Sequence, residues 1–213
     1  MTQLAHVSAA RVPAAEAKLP QLGKTGTYRR ILEEALMLFA QTGYHGTSVR
    51  DIASAVGIQI AALYVHFPSK GHVLAELCRI GHEEHQRALR TALLDAGSSP
   101  ADQLAALVRA HVRLHAEYAM LATVANYELH ALPDELAGAT MALRRQSEAL
   151  LIEVCERGEA QKKFTTPDVV ITAAAIGAMG MRVAQWYRAD LGKTIDEIAN
   201  VHAELALRMF GAR

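Results

Sequence analysis

The sequence predicts an all-α protein, with a small three-helix head near its N-terminus and a longer helical body behind it. Three observations carry this. Alanine is the commonest of the 213 residues, with 40 copies, whereas proline occurs six times and aromatics make up only 5%. Alanine, leucine, glutamate and arginine favour helix, while strands draw on β-branched and aromatic side chains. Apolar residues recur from Thr27 onward at the three-to-four-residue spacing of an amphipathic helix, and glycine or proline falls between the periodic stretches.

Residues 1–23 are rich in alanine, proline and small polar residues without sustained periodicity, and read as a flexible arm. Ile31, Leu32, Ala35, Leu36, Leu38 and Phe39 then mark a first helix that Gly43 stops. Thr47 or Ser48 can cap the second, and Ser48 with Asp51 has capping-box spacing. Val49, Ile52, Ala53 and Val56 form its apolar face, Gly57 is the turn, and Gln59 to Tyr64 form a shorter third helix. Beyond Pro68 and Ser69, long antiparallel helices are expected over 71–95, 101–118, 120–130, 134–158, 168–189 and 195–210, with prolines near the turns. The prolines at 100, 133 and 167 are evenly spaced, but the segments between them share no repeat signature. The domains read as arm 1–23, helix-turn-helix domain 24–70, and ligand-binding and dimerisation domain 71–213.

Composition excludes several classes. Twenty-two basic and 22 acidic residues give zero net charge, and 51% of residues are hydrophobic. That rules out a wholly basic coat and an acidic disordered chain. The charge is nevertheless divided. Residues 1–70 carry seven basic and four acidic side chains, a net of +3, and the remainder carries −3. That is the sign expected of a small anion-binding head. The uncharged run Val169 to Met181 falls short of the roughly 18 residues that span a bilayer, so no membrane partner is expected. Residues 1–21 lack the apolar core of a secretory signal. Cys78 and Cys155 read as two buried thiols of a cytoplasmic protein.

Helix, glycine turn, helix over Ser48 to Phe67 is the grammar of a helix-turn-helix, whose second helix can enter the DNA major groove. The stretch from Arg30 to Lys70 goes further and resembles the DNA-binding head of TetR-family transcriptional regulators. The resemblance rests on Ile31-Leu32, Ala35, Leu38-Phe39-Ala40, Gly43-Tyr44, Thr47 to Ala53, Val56-Gly57-Ile58, Leu63-Tyr64, His66-Phe67 and Ser69-Lys70. It implies a ligand-responsive repressor that binds a palindromic double-stranded DNA operator as a homodimer. It also assigns roles. Thr47 and Ser48 sit where the family touches phosphate at a helix N-terminus. Arg50 is placed to reach a guanine edge. Gln59, Ile60, Ala61 and Ala62 occupy the recognition helix, and Tyr64, His66 and Lys70 are placed for phosphate contact. Lys24, with the arm, is expected on phosphate or in the adjacent minor groove. Gln59 is the only evident hydrogen-bonding reader on that helix, which leaves sequence preference partly to Arg50 and DNA shape.

For the body, the resemblance implies a small-molecule effector and a dimer seam formed by the last two helices. Ala173, Ala174, Ala175, Gly177, Ala178 and Gly180 would let helix axes approach closely there. The stretches Arg182 to Arg188, Thr194 to Ala199 and Leu205 to Gly211 resemble a TetR group that answers to acyl-CoA thioesters of fatty-acid and steroid breakdown. Expected ligand contacts are Met120, Tyr127, Met141, Arg144, Met179, Arg182 and Trp186. Methionine and aromatic groups would make an adaptable apolar cavity, and arginines would meet phosphate or carboxylate. A drug-like hydrophobic inducer of efflux or stress genes is the alternative effector.

His82 and His85 are three apart and His111 and His115 four apart, so each pair faces one side of a helix. Two such pairs on neighbouring helices could hold Zn²⁺ or Ni²⁺. No cysteine lies near them, and His82-Glu-Glu-His85 is one residue short of the zinc-protease motif. No metal and no cofactor are therefore expected. The sequence has no nucleotide loop, no Gly-x-Ser-x-Gly elbow and no Cys/His pair, so no enzyme is expected. A helical interaction protein that does not touch DNA is the reading from a different class. The run Tyr64-x-His66-Phe67-x-Ser69-Lys70 speaks against it.

Overall fold

The computed structural model describes residues 17–21, 23 and 25–212, and no strand forms among them. The helices are α1 (Thr27–Gly46), α2 (Val49–Val56), α3 (Ile60–His66), α4 (Lys70–Asp95), α5 (Pro100–Glu117), α6 (Ala119–Tyr127), α7 (Asp134–Ala160), α8 (Val169–Trp186) and α9 (Ile195–Met209), with single 3₁₀ turns at Leu129–Ala131 and Ala189–Leu191. Their boundaries follow local chemistry. The backbone of α1 breaks at Gly43 (φ 76°, ψ 166°), where glycine is expected to interrupt it. Ser69, Ser99 and Asp168 accept the N3 backbone N–H of α4, α5 and α8. Thr194 and Glu197 close a reciprocal capping box on α9.

Two apolar cores hold these helices. The first joins α1, α2 and α3 through Leu32, Leu36, Phe39, Ile52 and Leu63, and continues into Leu74 and Leu77 of α4 and Leu121 and Val124 of α6. The head is therefore welded to the start of the body, with no break in packing at Lys70. The second core gathers Leu104, Val108 and Val112 of α5, Val154 of α7, Ile176 and Val183 of α8, and Ala199 and Ala203 of α9. Helix α5 is the hub, in contact with α4, α6, α7, α8 and α9.

Two expectations change. Residues 17–21 do not hang free. Leu19 is buried against the first core, Lys18 pairs with Glu117 at 2.5 Å, and the Arg29 guanidinium donates to the Pro20 and Leu19 carbonyls. Lys24 lies outside the described residues. Helix α8 runs past Met181 to Trp186, and over its 18 residues the mean hydropathy is 1.3, long and apolar enough to cross a membrane. In this fold its Ala173, Ile176, Gly180, Val183 and Ala184 are buried, and it packs on α5, α6 and α7. Both cysteines are buried free thiols, and burial pushes each up to about 12.

Candidate nucleic-acid interface and effector cavity

The head builds its turn from backbone requirements. Ser48 Oγ accepts the Asp51 N–H at 3.2 Å, and Asp51 Oδ2 accepts the Ser48 N–H at 2.8 Å. These bonds hold the Asp51 carboxyl below its ordinary range. Helix α2 ends at Gly57, which is left-handed (φ 74°, ψ 38°). The Gly57 N–H returns to the Ser54 carbonyl at 3.1 Å and the Ile58 N–H to the Ala53 carbonyl at 2.9 Å, the paired bonds of a Schellman stop. The chain is thus turned sharply into α3, where Leu63 is the only buried side chain. Gln59, Ala61, Tyr64, Val65 and His66 are all exposed, as is Arg50 on α2. The Tyr28 ring stacks on Phe67 at 4.8 Å and its hydroxyl donates to Glu76 of α4. Burial, helped by the bond to Glu76, pushes the phenol well above its ordinary range. The bond ties the start of α1 to α4, the helix that enters the body.

The body contains a cavity of about 440 Å³ between α4, α5, α6, α7 and α8, within the usual size range of small-molecule sites. Leu89, Leu107, Val108, Leu121, Leu151 and Ile176 supply apolar wall, and Arg144 and Glu148 of α7, paired at 3.1 Å, supply charge. Four histidines line it: His82 and His85 from α4, and His111 and His115 from α5. His85 Nε2 lies 2.8 Å from His111 Nδ1. His111 Nε2 donates to the Gly177 carbonyl of α8 at 2.9 Å, and His115 Nδ1 donates to the His111 carbonyl at 2.8 Å. Burial dominates their acidity, with neighbouring cations second for His82 and neighbouring histidines second for His115. His82 is pushed down to about 4 and His115 to about 3. His85 and His111 are lowered by burial as well, so all four rings are neutral at neutral pH. His82 Nε2 and Ser147 Oγ line the cavity wall and are buried with no partner among the described residues. Each such atom costs about 1–3 kcal/mol, which a polar occupant of the cavity would offset.

Comparison with known proteins decides the family. Residues 31–77 match the model of bacterial regulatory proteins of the tetR family, and residues 97–210 match the tetracyclin repressor-like C-terminal domain. The chain belongs to the TetR family. It is a DNA-binding transcriptional regulator and not an enzyme. It is 26% identical over 186 residues to the HTH-type transcriptional repressor KstR2 of Rhodococcus jostii (strain RHA1), covering 87% of this chain and 91% of the relative. A tetR-family regulatory protein from Rhodococcus RHA1 superposes with a TM-score of 0.83 at 29% identity, covering 89% of this chain and all of that one. AibR, solved in complex with isovaleryl coenzyme A and operator DNA, superposes with a TM-score of 0.77 at 23% identity, covering 88% of this chain and 100% of that one.

The structure sorts the residues expected from sequence. Ser48, Arg50, Gln59, Ala61, Tyr64 and His66 share the exposed surface of α2 and α3, together with Val65, which the sequence did not single out and which is 81% exposed. Ala62 is half-buried, and Ile60 packs against the head core. Two residues expected on phosphate are turned to other work. Thr47 is buried. Its hydroxyl meets the Gly43 carbonyl and the Thr42 hydroxyl, both at 2.9 Å, and its N–H donates to the Tyr44 carbonyl. Lys70 Nζ donates to the Tyr44 and Thr47 carbonyls, both at 2.6 Å, and sits 4.1 Å from the centre of the Tyr44 ring. It clamps the end of α1, and burial lowers its pKa from the ordinary lysine value.

Of the expected ligand residues, only Arg144 reaches the cavity. Met120 is buried in the first core and Met179 packs against the second. Tyr127, Met141, Arg182 and Trp186 lie at the surface, Trp186 stacked beside His202. The small residues of α8 divide. Ala173 and Gly180 face inward, and a methyl at Gly180 would overlap the His111 ring. Ala174 and Ala178 are exposed. The signal for the true walls was the pair of histidine spacings, which put each pair on one side of its helix; in the fold those sides of α4 and α5 both line the cavity.

Proposed function

We propose that this TetR-family regulator is a homodimeric, ligand-responsive repressor. It binds a palindromic operator in the cytoplasm and leaves it when an apolar acyl group, carried as a coenzyme A thioester, enters the cavity between α4 and α8. The observation that carries the reading is the position of that cavity. Its walls include α4, whose first residues share a core with the head, and α8, whose outer face is unpartnered. An occupant that favours one arrangement of these helices shifts the spacing of two heads by its differential affinity for the two states. The acyl-CoA assignment is supported by the likeness to KstR2 and by the isovaleryl coenzyme A in the AibR complex. A cavity of about 440 Å³ suits an acyl group, with the nucleotide outside.

The seam reading is supported by the exposed faces of α8 and α9. Ile171 and Val201 are 70% and 55% exposed, and Leu205 and Met209 are exposed as well. A soluble monomer has little reason to leave such a stripe in water. On DNA, Arg50 and α3 face bases, while Ser48, Tyr64 and His66 set register on phosphate; Lys24 belongs with these phosphate contacts. The test is fluorescence anisotropy on DNA upstream of the protein's own gene. The native dimer should bind one fragment selectively at moderate salt. Arg50→Ala should weaken it by about 1–3 kcal/mol and relax one base position. Failure of any fragment to bind selectively would overturn the reading.

A further inference from the structure

We propose that His85, His111 and His115 form a binding site for one divalent transition-metal ion of the zinc class, set into the wall of the body cavity. One ring nitrogen of each lies within 4.8 Å of the others. The chelate spans two helices: His111 and His115 stand one turn apart on α5, and His85 comes from α4.

The hydrogen bonds around the cluster already select the tautomers that a metal needs. The Gly177 carbonyl can only accept, so His111 carries its proton on Nε2 and keeps the Nδ1 lone pair. The His111 carbonyl likewise holds the proton of His115 on Nδ1, which leaves the Nε2 lone pair. Orientation of ligand imidazoles by outer acceptors is a general feature of metal-histidine sites. Only His85 must change. Its Nε2 now hydrogen-bonds to His111 Nδ1 at 2.8 Å, and a ring shift of the proton to Nδ1 frees the Nε2 lone pair. Tetrahedral zinc with bonds of 2.0–2.1 Å separates its nitrogen ligands by about 3.3 Å, so the ion enters by parting these two rings by about half an ångström.

The three rings take one side of the ion. The remaining coordination position opens into the cavity, whose walls carry the unpartnered His82 Nε2 and Ser147 Oγ. Water or an oxygen donor on the bound small molecule completes the shell there. Carboxylate does not crowd the cluster, as Glu84 and Glu148 are drawn off by Arg87 and Arg144. A metal here would also pin α4 to α5 and, through Gly177, to α8. This site does not depend on the acyl-CoA reading, because the cluster stands whatever molecule fills the rest of the cavity.

The experiment uses tag-free full-length protein, stripped with chelator and then dialysed against Zn²⁺. The expected result is one zinc per chain by elemental analysis. His85→Asn and His115→Asn should each lose that equivalent while keeping native helix content by circular dichroism, and His45→Asn should retain it. Cobalt substitution of the native chain should give the visible ligand-field bands of a tetrahedral site. Absence of bound zinc in the native chain, or an equal zinc content in the variants, overturns the proposal. Should the variants unfold, cobalt spectra of the native chain decide: absence of tetrahedral bands overturns it as surely.

Discussion

Lys70 separates two roles that the sequence alone runs together. In the structure its ammonium donates to the carbonyls of Tyr44 and Thr47, both at 2.6 Å, above the Tyr44 ring. Lys70→Met keeps the stem and removes the charge. A hydrogen bond from a charged donor contributes about 1.5–3 kcal/mol. The ring contact adds about 0.5–1 kcal/mol at a partly exposed site. Water reaches this edge of the head and takes over part of the loss, and the Tyr44 carbonyl keeps the Thr47 N–H. The net cost is therefore about 2 kcal/mol, which for a chain of this size lowers the melting temperature by about 4–8 °C. The assay pairs a thermal melt of the DNA-free protein with the salt dependence of operator binding. A clamp predicts the lower melting temperature and an unchanged salt slope. A phosphate contact predicts an unchanged melt and a slope smaller by about one. The second pattern would refute the clamp.

Three other outcomes follow from the body. Gly180→Ala gains about 1 kcal/mol of helix propensity. It also forces a methyl into the His111 ring, which His85 and the Gly177 carbonyl hold in place, at about 1–3 kcal/mol. Gly177→Ala meets nothing within 4 Å. Melts of the two variants should move in opposite directions, and a stabilised Gly180→Ala would contradict the packing. Ile171→Glu on the exposed face of α8 should convert the dimer to monomer in sedimentation and abolish selective operator binding; an intact dimer would remove α8 from the seam. In chelator, the four cavity histidines make stability pH-dependent. Burial holds their native pKa values below the unfolded value of about 6.5, at about 4 for His82 and about 3 for His115. Below pH 6.5 the unfolded chain takes up protons that the native state refuses. Stability should be full above that pH and fall as pH drops toward 4; a flat melting profile down to pH 5 would contradict their burial.

Much of this architecture was legible in the residues. Capping side chains, glycine stops and apolar periodicity are local properties, and α2 with its Ser48–Asp51 box and Gly57 turn follows from ten consecutive positions, 48–57, almost unaided. The TetR head was legible for the same reason. Lys70 was not, because its partners are set by where the end of α1 meets the start of α4, a tertiary fact 23 and more residues away in sequence; Thr47 was not either, because Thr42 and Gly43, though near in sequence, meet its hydroxyl only once α1 breaks at Gly43. The cavity was harder still. Periodicity tells that Met120 or Met179 lies on an apolar face, but it cannot tell a solid core from the wall of a void. Tyr127, Met141 and Trp186 have chemistry that suits a ligand, and nothing local says that α6, α7 and α8 turn them outward. The walls are instead leucine, alanine and histidine. His82/His85 and His111/His115 carried the usable signal, since their spacings put each pair on one side of its helix; only the packing of α4 on α5 makes the two pairs face each other.

The central claim is that the cavity between α4 and α8 is where a small molecule acts on the DNA-binding head. The direct measurement is operator release, followed by anisotropy as acyl-CoA thioesters of increasing chain length are titrated into the native protein–operator complex and into the same complex of Leu151→Trp. The account predicts that one chain-length class dissociates the native complex. It also predicts that the indole, by filling the cavity, shifts release to much higher thioester concentration while operator affinity stays native. Release that is identical in the two proteins, or absent for every thioester, would contradict it.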